Sequence, residues 1–151
     1  MGVILAAVPA GEGQLPAGAH GVDDGVPGVV GRVFDVEGVS ECGLLVADGY
    51  KDAAAVIAGS TLEEHLRKLA AKHNVDMTET KRDGAVVPKK AARLNDDLKK
   101  ACAYNQLESS QVGTWLVLRN NAAHGHFGEY MQAQVEQMIE GIRGFFLRNP
   151  A

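Results

Sequence analysis

Cysteine is scarce, aromatics are few, and lysine is missing from the first fifty of the chain's 151 residues. Cys42 and Cys102 stand far apart with no C-x-x-C, which excludes a disulfide framework and fits a reduced, cytoplasmic protein. Aromatic residues make up only 5% and do not cluster with basic ones, so a base-stacking platform is not expected. No apolar run reaches the roughly eighteen residues a membrane span needs, so no membrane partner is expected. The opening residues 1–8 lack a basic start and Pro9 cuts their apolar run, so they do not read as a signal peptide. Ala6 breaks the N-myristoylation pattern. A formal net charge of −4 argues against holding duplex DNA by bulk charge. Glycine is plentiful, but Gly11-Glu12-Gly13 is followed by Gln14-Leu15-Pro16 where a phosphate loop would need its next glycine.

What is present is apolar residue for one core: 46% of the chain against 23% charged. Composition divides near residue 47. The first fifty residues hold 11 of the 18 glycines, and a single basic residue, Arg32, against seven acids leaves them at −6. Glycine at that density is costly inside helices and strands. Residues 1–46 therefore read as a Gly/Val-rich irregular extension. It is either flexible with a weak strand over 29–36, or not a native part of the domain. Residues 47–151 read as the folded domain.

That second part is helical by its periodicity. Tyr50, Ala54, Ile57, Leu62, Leu66 and Leu69 mark one long helix to about His73, continuous across Gly59-Ser60 despite a possible capping box at Ser60 and Glu63. Residues 74–88 read as a polar loop. Leu94, Leu98 and Cys102 mark a second helix from about Lys90 to Tyr104. Ser109 or Ser110 is expected to cap a third, carrying Val112, Trp115, Leu116 and Leu118 and stopping at Gly125. Met131, Val135, Met138, Ile142 and Phe145 define the fourth. Four such helices with short to medium connections predict an all-α antiparallel bundle.

Chemistry concentrates where the third helix ends, in Arg119-Asn120-Asn121-Ala122-Ala123-His124-Gly125. Asn120 and His124 share a face, about 40° apart at 100° per residue, whereas Arg119 and His124 are about 140° apart. They meet only if the arginine bends round or the helix unwinds near Gly125. An imidazole, a guanidinium and an amide suit phosphodiester cleavage. Histidine moves the proton of a ribose 2′-OH, arginine holds phosphate oxygens, and asparagine orients the imidazole or the phosphate. The plainer account is that arginine and histidine suit a helix C-terminus electrostatically.

The arginine, the following polar residue and the histidine, at the end of the third of four helices, resemble the signature of the HEPN superfamily of helical nucleotide-binding domains. Residues 50–67 are similar to the opening helix of HEPN-like bacterial proteins, and the resemblance spans about 47–149. It implies an antiparallel four-helix HEPN-like bundle that forms a homodimer with two motifs facing each other. It also implies a metal-independent endoribonuclease acting on RNA and not on DNA, often a toxin or anti-phage component. Carried over by position, Arg119 and His124 are catalytic and Asn120 supports them. No cofactor and no metal is implied. An antitoxin or inhibitor protein is a further partner of some members. The alternative is a non-catalytic dimerisation or RNA-binding module.

Other features carry less. His124-Gly125-His126 with Glu129 lacks the remaining ligands of a tetrahedral metal site. His65 reads as a surface or boundary residue, Glu64 as a groove candidate without support from spacing, and His73 as a last-turn basic residue. Seven basic residues between 81 and 100 (Lys81, Arg82, Lys89, Lys90, Arg93, Lys99, Lys100) face three acids, as a solvated face or an RNA-attracting one.

Overall fold

The computed structural model describes residues 36–151. The chain runs α1 (Val36–Ala47), α2 (Lys51–Lys72), β1 (Thr78–Thr80), β2 (Val86–Pro88), α3 (Ala91–Lys100), α4 (Gln106–Ala123) and α5 (Gln132–Arg148). The described residues are mostly helical, as the periodicity predicts, and pack as a bundle around α2, which touches each of the other four helices. None of these helices is long and apolar enough to cross a membrane.

The bundle has one helix more than the sequence suggests. Residues 36–46, expected to be irregular, form most of α1, while the expectations for residues 1–35 lie outside the described residues. Val36, Val39, Cys42 and Val46 recur at helical spacing, and the last three are essentially inaccessible against α2 and α5. Gly38 and Gly43 made the segment look non-helical, because glycine costs about 1 kcal/mol in an isolated helix. Burial of the valine face outweighs that cost. Burial also pushes the Cys42 thiol up to about 11, with the nearby Glu41 charge adding to it, so it packs as an inert small group.

Helices α1 to α4 all end the same way. A residue with positive φ follows the cap (Gly49, Asn74, Cys102, Gly125), and the next amide turns back onto the carbonyl five positions earlier. These are Schellman ends, which occupy carbonyls that the last helical turn leaves open. Cys102 is thereby corrected. It was expected on the buried stripe with Leu94 and Leu98, but α3 stops before it and its side chain is exposed. The first residue of the α5 stripe also moves out: Met131 is the exposed N-cap, and burial begins at Val135.

Residues 74–88 contain a short antiparallel hairpin, pairing Thr78 with Pro88 and Thr80 with Val86. Its turn uses Asp83, whose side chain accepts from the Ala85 amide, and Gly84 at positive φ. The turn was visible in Lys81-Arg82-Asp83-Gly84. The strands were not, since Thr-Glu-Thr lacks an apolar face. The cap of α4 is Asn105, whose Oδ1 accepts from the Glu108 amide at 2.9 Å; Ser109 is buried within the first turns. Beneath it, Asn95 donates to the Ser109 carbonyl and accepts from the Tyr104 hydroxyl, both at 2.9 Å.

Phe145 sits at the centre, edge-on to Tyr104, Trp115 and His65 with ring centroids 5.3 to 6.3 Å apart. His65 is therefore a core residue, not a surface one. It stacks on Phe146 at 4.0 Å and its Nε2 donates to the Asn149 carbonyl at 2.8 Å. Burial holds its pKa below the ordinary 6.5; the Asn149 hydrogen bond opposes this, while Lys68 and Lys72 reinforce it.

Two outcomes follow. Val39→Asp buries an unpaired charge on α1 and should cost several kcal/mol in a denaturant titration, whereas Leu44→Asp, on the exposed side, should stay within about 0.5 kcal/mol. Equal effects would mean α1 is not part of the core. Because the folded state favours neutral His65, its contribution is complete above about pH 6.5 and is lost as pH falls from there through the lowered folded value. Chemical denaturation between pH 7 and 5 should show that decline, and His65→Gln should flatten it.

Candidate active site

Helix α4 reaches the site through a close approach to α2. Along α2, Gly59, Glu63 and Arg67 are four apart and share one face. A Cβ at Gly59 would fall onto Cβ and Cγ of Arg119, so only glycine lets the arginine stem cross there. Gly141 does the same for the Trp115 indole on the α5 side. These two glycines set how closely α2 and α5 approach the α4 side chains.

Once past Gly59, the Arg119 side chain is held at its head. Its Nε lies 3.4 Å from Glu63 Oε1, with both side chains 25% exposed, and its Nη1 donates to Asn120 Oδ1 at 3.2 Å. The Nε contact is an ion pair without hydrogen-bond geometry, since that buried nitrogen has no aligned acceptor. A partly exposed pair of this kind is worth about 0.2–1 kcal/mol; its larger effect is to fix where the guanidinium points. Asn120 thus engages the arginine.

His124 is the C-cap of α4, and its amide bonds to the Asn120 carbonyl at 3.0 Å. Gly125, at φ 78°, supplies the left-handed residue that ends the helix, as its position suggested. The imidazole is exposed. His126 follows with its ring 6.4 Å away, and among the described residues no group of three or more His, Cys, Asp or Glu is placed to hold a metal ion.

Arg119, Asn120 and His124 line one open cleft of about 560 Å³, a size within the range of small-ligand sites. Its opposite walls come from elsewhere in the chain. Glu63 and Arg67 belong to α2, Lys89 and Lys90 to the junction between β2 and α3. Four cations therefore face the cleft against one carboxylate. Lys89 is tied to Asp97 at 2.8 Å, and that bond, assisted by the charges of Lys89, Arg93 and Lys100, holds the Asp97 carboxyl below its usual range. Among the described residues, neither Arg67 nor Lys90 forms an ion pair.

The sequence-predicted trio thus comes together, while Glu64 does not line this cleft and its neighbour Glu63 does. Glu63 and Arg67 were missed because their helix face is defined by what crosses it. The four-residue step from Gly59 was the available signal. Lys89 and Lys90 were visible only as part of a basic stretch. No family model, no curated protein and no solved structure matches this chain.

The helix crossing makes a matched prediction. Gly59→Ala should destabilise by about 1–3 kcal/mol and displace Arg119. Gly43→Ala, on α1 with nothing described within 4 Å of the new methyl, should be neutral or stabilising by about 0.4–1 kcal/mol. Comparing the two midpoints checks this, and an unperturbed Gly59→Ala would refute the crossing.

Proposed function

We propose that this chain is a HEPN-like helical protein that acts, as a homodimer, as a metal-independent endoribonuclease of the toxin or anti-phage kind. The supporting observation is the convergence of Arg119, Asn120 and His124 on a single cation-rich cleft. The charge suits a polyanion, and the trio suits its phosphodiester link.

In the proposed reaction, His124 removes the proton from a ribose 2′-OH, whose oxygen attacks the neighbouring phosphorus. The bond from phosphorus to the 5′-oxygen breaks, and that oxygen takes a proton from an imidazolium. The products carry a 2′,3′-cyclic phosphate and a 5′-hydroxyl. Of the five N–H donors of Arg119, Asn120 accepts from one while Glu63 pairs with Nε by charge alone, which leaves others for the phosphate oxygens as charge develops on them. Asn120 keeps the guanidinium in place. The nucleophile belongs to the substrate, so DNA is not cut.

In-line displacement puts the attacking and leaving oxygens on opposite sides of phosphorus. One imidazole serves one side, and a second copy related by a two-fold axis supplies the other. Inside the cell that makes it, such a nuclease needs a partner antitoxin or inhibitor.

One observation favours the alternative, a non-catalytic dimerisation or RNA-binding module: the ion pair of Arg119 with Glu63 is what a packing role for the arginine would require. His124 separates the two readings, since its exposed ring makes substitution nearly neutral for stability, within about 0.5 kcal/mol. Purified protein with single-stranded RNA in EDTA should yield cyclic-phosphate ends. His124→Ala should slow this at least about a hundredfold with an unchanged melting curve. RNA bound but never cut would establish the module instead.

A further inference from the structure

At about 560 Å³ the cleft has more room than a single phosphodiester needs, and its cations come from separate elements. Arg119, gripped by Glu63 and Asn120, stands with His124 on the α4 side. Arg67 lies one turn further along α2 than Glu63, a rise of roughly 6 Å. Lys90 faces the same space from the start of α3. These two cations have no carboxylate partner among the described residues, whereas Arg119 and Lys89 each have one.

An arginine and a lysine from separate elements, both without an ion-pair partner among the described residues and both lining one cleft, are not explained by packing. Lys90 is exposed and Arg67 half-buried, so neither is needed to satisfy a buried acid. The rise along α2 from Glu63, which pairs with the Arg119 guanidinium, to Arg67 is of the order of the step between successive phosphates on one strand.

We propose that Arg67 and Lys90 form a second phosphate subsite, which binds the backbone phosphate next to the one held by Arg119. The ligand is a single strand of RNA, recognised at this subsite through its phosphate and not its bases. This rests on the nuclease reading only for the role of the neighbouring position. The subsite predicts a length threshold: a strand of four nucleotides reaches both positions and a dinucleotide, with one internal phosphate, fills only one. Asp97 assists by holding Lys89 away from free competition for that phosphate.

The probe is a 2′-O-methyl oligonucleotide, which lacks the nucleophile and cannot be cut. Full-length protein should bind the tetranucleotide more tightly than the dinucleotide. Arg67→Gln combined with Lys90→Gln should weaken tetranucleotide binding about tenfold and leave the dinucleotide unchanged. The log–log salt dependence should become shallower by about 0.7, one phosphate contact on a single strand. Arg67→Lys with Lys90 retained should keep most of the affinity, which a purely shape-dependent role would not. Unchanged tetranucleotide binding in the double variant overturns the subsite, even if the protein cleaves RNA. Weakened binding in a protein that cuts nothing upholds the subsite and removes the nuclease.

Discussion

The crossing of α2 and α4 at Gly59 is the constraint on which the rest of the site depends. Without a side chain at that point, the Arg119 stem passes over α2 and its head meets Glu63, one turn further along. A larger residue would separate the helices, because a packed interior has few voids into which a methyl can retreat. The arginine's direction is thus decided by a residue sixty positions earlier that touches nothing a ligand could touch. The same crossing answers the angular problem on α4. Arg119 and His124 would leave an ideal helix about 140° apart, yet both line one cleft, the arginine head meeting Glu63 on α2 and the histidine lying at the C-cap where the helix ends.

Local patterns carried most of the fold. Apart from Tyr50 and Met131, which are exposed caps at the two helix starts, the stripes of α2 and α5 followed from apolar spacing, and so did the end of α4, where Gly125 takes the left-handed conformation. Where the pattern misled, tertiary packing had overridden a local cost. Val39, Cys42 and Val46 hold α1 together despite Gly43, and a reading weighted by glycine content could not see the surfaces of α2 and α5 that reward the helix. Cys102 misled in the opposite sense. It continues the four-residue step of Leu94 and Leu98, yet a chain reversal falls on it, and a non-glycine residue at φ 56° gives no warning in the sequence.

The site was legible in one part and not in another for a related reason. Arg119, Asn120 and His124 lie within six residues on one helix, so spacing could group them. Their opposite wall is drawn from α2 and from the β2–α3 junction. Nothing local distinguishes Glu63 from Glu64 until the crossing at Gly59 fixes which of them faces α4. Lys89 and Lys90 were equally ambiguous, since a basic stretch looks the same whether it meets solvent or lines a cleft.

Net charge was the least informative quantity for the same reason. A chain at −4 argues against polyanion binding only if its charges act together. Here seven of the nineteen acids lie in the first fifty residues, while the cleft gathers four cations around one carboxylate. At physiological salt, charges more than about 8 Å apart are largely screened from each other at the surface. A strand in the cleft would therefore respond first to Arg67 and Lys90, then to Arg119 and Lys89, whose charges Glu63 and Asp97 partly offset. The bulk value excludes a broad electrostatic grip on a duplex, which needs a long basic face. It is silent on a cleft that would engage one or two phosphates, which is the smaller task proposed for these residues.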